Sequence, residues 1–122
     1  MMKEKLIGVI VFIAVILYVG INTYVIDGQM KWVYNNVSGI DVYSENAREK
    51  AEEYFADFEK KEKYMSLTVN HDDLTVIEEC FVEMIGYLEI GDSDNATVTK
   101  SRLTHSIEHL RRLSTFTIDA II

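Results

Sequence analysis

Three histidines and two arginines are the side chains most ready for chemistry: His71, Arg102, His105, His109 and Arg112. His105-Ser106-Ile107-Glu108-His109 spells H-x-x-E-H, the inverted zinc-hydrolase pattern. In it, two histidines one helical turn apart bind zinc, and the glutamate acts as general base beside a metal-bound water. That architecture needs a third protein ligand well downstream, and little chain follows His109 before Ile122. The domain is also small for a dry, walled zinc pocket. The pentapeptide therefore reads as a chance match to a permissive pattern.

The same histidines fit a simpler arrangement. Arg102, His105, His109 and Arg112 follow at steps of three, four and three, so they line one helix face opposite Leu103, Ile107 and Leu110. The expected role is an exposed face steadied by neighbouring glutamates, each surface pair contributing ~0–1 kcal/mol. The functional alternative is a docking strip for an acidic partner segment or an anionic ligand. His71 precedes Asp72 and Asp73, which spells an HD metal pair, but the further histidines and aspartates of such a site are lacking. It falls between Leu67 and Leu74 in the pattern and is expected at the border of a helix seam, hydrogen-bonded across it. The alternative there is a pH-responsive role.

Other chemistries find no residues to carry them. Carboxylates run along helix faces, as in Glu45/Glu49/Glu53 and Glu78/Glu79/Glu83, without the paired E-x-x-H of a di-iron bundle. The chain lacks a glycine-rich phosphate loop, a G-x-S-x-G elbow and a Cys/His nucleophile pair. Cys80, the only cysteine, adjoins apolar Phe81 and reads as a half-buried small residue. No catalytic, cofactor-binding or metal-binding residue is assigned, and the chain reads as a non-enzyme.

The elements that position these residues begin with Leu6–Ile26, an uncharged apolar stretch between Lys5 and Asp27. As a helix it would run roughly 32 Å, close to the ~30 Å hydrocarbon core of a bilayer. It has no polar stripe, which argues against a core helix. It is long for a signal peptide and lacks an A-x-A-like cleavage site, so an uncleaved signal anchor is expected. Lys3 and Lys5 before it, against Lys31 after it, place the N-terminus in the cytoplasm and the rest outside. Tyr18, Tyr24 and Trp32 mark the far interface.

Beyond the anchor, Ile26, Met30, Val33 and Val37 keep helical spacing, which predicts a helical extension and linker over residues 27–42. Residues 43–122 then form the domain. The first helix is predicted over Tyr43–Lys63, capped by Ser44 and burying Ala47, Ala51, Tyr54, Phe55 and Phe58, with Met65 in the same series. The second, Ser66–Ile90, has a heptad seam of Leu67, Leu74, Phe81 and Leu88, filled by Ile77, Met84 and Ile85. The turn at Gly91-Asp92 leads to a third, Asp94–Thr115, burying Leu103, Ile107, Leu110 and Leu113 or Ser114. The apolar tail Phe116–Ile122 is expected to dock on the bundle.

The chain has 122 residues and net charge −8; Lys3, Glu4 and Lys5 contribute +1, leaving −9 from Asp27 onward. That balance argues against nucleic acid, which needs a basic footprint, and against lying flat on anionic headgroups. A single cysteine excludes an internal disulfide, and the absence of proline suits helices throughout.

The order of features resembles domain-of-unknown-function family 4363. The resemblance lies in a short basic start, one membrane helix, a Glu/Lys-rich aromatic helix, a helix opening near His71 with Ile77-Glu78 and Tyr87-Leu88, and the closing Asp119-Ala120-Ile121-Ile122. It implies a small membrane-anchored helical protein of Gram-positive bacteria, and no activity.

The expected fold is all-α: a short cytoplasmic N-terminus (1–5), a transmembrane helix (6–26), then a small antiparallel bundle of three helices, four if the extension joins it. The leading functional expectation is an accessory or interaction subunit at the outer face of a bacterial membrane. Its partners would be the lipid bilayer and another integral membrane protein, with no nucleic acid. The alternatives are an extracytoplasmic sensor or ligand-binding module and, more remotely, a zinc hydrolase.

Overall fold

A computed structural model describes residues 2–67 and 69–121, with side chains described as far as Leu113. Among them are four helices and no strand: α1 (Met2–Ser38), α2 (Ala47–Met65), α3 (His71–Glu89) and α4 (Ser93–Ile121).

The apolar stretch and its extension are one uninterrupted helix of 37 residues. It is long and apolar enough to cross a membrane, and none of its most apolar window is buried within the protein. From Ile26 onward the pattern becomes periodic. Ile26, Met30, Val33 and Val37 point one way and are buried, as their spacing predicts. The helix ends at Gly39, and Ile40 and Val42 in the following connection still reach the core.

α2 begins at Ala47, later than Tyr43. Tyr43 donates its backbone N–H to Asp41 Oδ1 at 3.0 Å, and the Ser44 hydroxyl donates to Asn46 Oδ1 at 2.6 Å. Local side-chain bonds of this kind hold the chain in turns rather than helix. Ala47, Ala51, Phe58 and Met65 are buried, and Tyr54 and Phe55 pack against them half-buried.

α3 begins at His71, later than Ser66. The Asn70 side chain accepts the Asp72 N–H at 2.9 Å, and Asp72 and Asp73 occupy the first turn, where the helix dipole favours anions. Leu67 therefore lies in the α2–α3 turn and is 76% exposed, not a member of the seam. The rest of that seam holds: Leu74, Ile77, Phe81 and Met84 are buried, with Ile85 and Leu88 packed against them. Cys80 is fully buried rather than half-buried. Gly91, at φ +74°, ends α3; the Asp92 N–H bonds Tyr87 O and the Gly91 N–H bonds Leu88 O, the paired bonds of a Schellman motif. Asp92 Oδ1 then accepts the Asn95 N–H at 3.1 Å and opens α4.

α4 packs on α3 and on α1, and α2 packs on α3 and on α1. The levels at which they meet are fixed by named pairs. Asn22 meets Tyr64 and Trp32 meets Tyr54 between α1 and α2. Asp27 meets Arg111 and Ile40 meets Lys100 between α1 or its end and α4. The core between them holds Phe81, stacked on Phe55 at 5.2 Å and tilted on Phe58 at 5.6 Å. Leu103, Ile107 and Leu110 of α4 are buried as expected, while Leu113 is 39% exposed. The expected docking of the tail's side chains lies outside the described residues.

Candidate functional site

The richest polar cluster sits where α1 passes from its exposed apolar stretch into the bundle. Arg111 of α4 donates from Nε to Asp27 Oδ1 at 3.0 Å, and its Nη1 lies 3.2 Å from Glu108 Oε2. The bond to Asp27 is the main reason the guanidinium is held still more firmly protonated than usual, against the opposing effect of burial. Two carboxylates facing one guanidinium form a strap between α4 and the first charged residue after the apolar stretch.

On the neighbouring side of α1, Tyr64 Oη donates to Asn22 Oδ1 at 3.0 Å. Lys61 Nζ lies 4.0 Å over the Trp32 ring, and Trp32 meets Tyr54 edge-on at 6.1 Å. Lysine over indole is a cation–π contact of about 0.5–1 kcal/mol at an exposed site. Tyr24, Asp27, Gln29, Lys31, Trp32 and Lys61 line an open groove here of about 470 Å³. Within it Gln29 Oε1 is buried without a hydrogen-bond partner among the described residues.

The residues singled out by type and spacing lie elsewhere. Arg102, His105, His109 and Arg112 are all exposed on α4, as one face should be. Arg102 pairs with Glu83 of α3 at 3.1 Å, a surface bridge with both partners well solvated. Glu108 of the H-x-x-E-H stretch is engaged by Arg111. Among the described residues no group of three His, Cys, Asp or Glu side chains is placed to hold a metal. His71 is exposed at the first position of α3 rather than at a seam border, and no hydrogen bond of its ring is seen among the described residues. Its charge acts on Glu62 of α2, whose carboxyl is pushed up by burial and then by Glu78 and Glu59, with His71 opposing. No hydrogen bond or ion pair among the described residues joins His71 to the α4 histidines.

Pattern reading missed Arg111, Asp27, Lys61 and Trp32 as interacting groups. Asp27 had a signal, as the first charge after the apolar stretch. Its partner, 84 residues away, had none.

A family model described as a domain of unknown function (DUF4363) matches residues 23–121. That stretch takes in the periodic half of α1 together with α2, α3 and α4. No curated protein and no solved structure matches the chain.

Proposed function

The chain belongs to the DUF4363 family, a domain of unknown function, and on that premise we propose a non-enzymatic, single-pass membrane subunit. Its helices form an antiparallel four-helix bundle at the outer face of a bacterial membrane, and its task is to bind another integral membrane protein. The observation that carries this reading is the division of α1. One continuous helix leaves its apolar half unburied and commits Ile26, Met30, Val33 and Val37 to the bundle core. A membrane helix so built cannot turn or shift without moving the domain, so a partner in the bilayer and a partner outside it are both within reach. The basic residues before the apolar stretch support an N-terminus in the cytoplasm.

Crosslinking in the native membrane, followed by mass spectrometry, tests the proposal. One recurrent integral membrane partner, captured from positions on both halves of α1, is the expected result. Repeated recovery of the protein alone overturns it.

A second reading is an extracytoplasmic sensor. It is favoured by the exposure of His71, His105 and His109, which puts all three imidazoles in contact with solvent. Amide chemical shifts of α3 and α4 that do not move between pH 5 and 8, the range where histidine ordinarily titrates, would dispose of it.

A further inference from the structure

The two ends of the bundle each expose one large aliphatic side chain in a turn: Leu67 between α2 and α3, 76% exposed, and Ile90 between α3 and α4, 75% exposed. Their surroundings differ. Ile90 is flanked by Glu89, Asp92 and Asp94, and Arg48 reaches Glu89 from α2. Leu67 lies in a mixed setting: Lys60, Lys61 and Lys63 alternate with Glu59 and Glu62 before Tyr64, and Asp72 and Asp73 open α3 after it.

Their heights relative to the apolar stretch differ as well. The α1–α2 pairs Trp32–Tyr54 and Asn22–Tyr64 descend α1 by ten residues as they ascend α2 by ten. The same register carries Met65, the last residue of α2, to the level of Ile21 inside the apolar stretch, and Leu67 follows it in the turn. Ile90 lies at the opposite end, beside the Arg48 end of α2.

We infer that the α2–α3 turn is a bilayer-contacting surface: Leu67 enters the boundary between headgroups and acyl chains, with Tyr64 and the lysines of the last α2 turns at headgroup depth. A leucine at this depth removes apolar surface from water, which the hydrophobic effect favours. Tyrosine and lysine suit the layer just above, the one through its amphipathic ring and the others by extending their amines toward phosphate. Charge at this end is balanced, with Lys31, Lys60, Lys61, Lys63, Arg111 and Arg112 matched by Asp27, Glu59, Glu62, Asp72, Asp73 and Glu108, so the contact rests on Leu67 and Tyr64 rather than on attraction to anionic lipid.

The inference rests on α1 spanning the bilayer, and its test separates the two. The full chain carrying Cys80→Ala is labelled with a nitroxide at Ile13→Cys, Leu67→Cys or Ile90→Cys, one at a time. Each is reconstituted in phosphatidylcholine vesicles with and without phosphatidylglycerol. The expected result is oxygen-dominated relaxation at positions 13 and 67 and nickel-chelate-dominated relaxation at 90, in both lipid compositions. Lipid exposure at 13 with position 67 as aqueous as 90 overturns the turn's role alone. An aqueous signal at 13 overturns the membrane-spanning reading, and this inference with it.

Discussion

Residues 2–18 and residues 26–38 of α1 share one helical backbone and dispose of their side chains by opposite rules. In the first region every side chain is exposed, Leu6, Phe12 and Ile13 among them. In the second the apolar side chains recur on one face and are buried, while Lys31 and Asn35 face outward. Apolarity all round a helix suits apolar surroundings on all sides, whereas a periodic stripe asks for a protein partner on one side. The difference teaches that the boundary lies in the surroundings and not in the helix: nothing in the backbone marks where one region gives way to the other.

The comparison breaks most sharply with a carboxylate. Val33→Asp places an unpaired charge among fully buried neighbours, a penalty of several kcal/mol against a typical stability of about 5–15 kcal/mol. The expected outcome is loss of cooperative thermal unfolding by circular dichroism in detergent. Ile13→Asp should leave that transition unchanged and instead weaken membrane integration by about 3 kcal/mol, read in a translocation assay. Equal behaviour of the two variants would erase the distinction.

Truncation gives a smaller version of the same contrast. Met30→Ala should cost about 2–5 kcal/mol in denaturant unfolding, and Ile13→Ala close to none. At the boundary itself, a double-mutant cycle on Asp27→Asn and Arg111→Gln should return a coupling of ~1 kcal/mol or less that shrinks with added salt, because both partners are partly solvated.

The smallest effect is expected at Glu62, near the level where α2 meets Asn22. Burial, then Glu78 and Glu59, raise its pKa. The native state thus keeps a proton that the unfolded chain has already lost just above the ordinary glutamate range. Stability therefore falls as pH rises through that window and stays lower at neutral pH. Glu62→Gln should add ~0.5 kcal/mol at pH 7 and flatten that part of the pH profile in thermal melts.

Much of the fold was legible because burial follows spacing. Ile26, Met30, Val33 and Val37 could be placed on one face from their steps alone, and so could Leu103, Ile107 and Leu110. The helix starts were less legible. Leu67 fits a seven-residue repeat with Leu74, but Asn70 with two aspartates behind it is a stronger instruction, and it starts the helix at His71 rather than Ser66. Tyr43 is lost from α2 for a similar reason, since Asp41 takes its N–H. The candidate site was mostly illegible. Asp27 with Arg111, and Trp32 with Lys61, join residues far apart in the chain, and only the folded register brings them together. His105 and His109 are exposed, as their place opposite Leu103, Ile107 and Leu110 predicts, while His71 is exposed where a seam border was expected.

The unbroken passage from apolar stretch to bundle also bears on the cost of association. A domain hung on a flexible linker loses rotational freedom whenever it is captured, and that loss is subtracted from the affinity. With α1 in a bilayer, no hinge separates the domain from its support, so height and tilt are already fixed before any encounter. For the partner proposed above, encounter would then reduce to lateral drift and spin about one axis, and a smaller complementary surface would suffice to hold it.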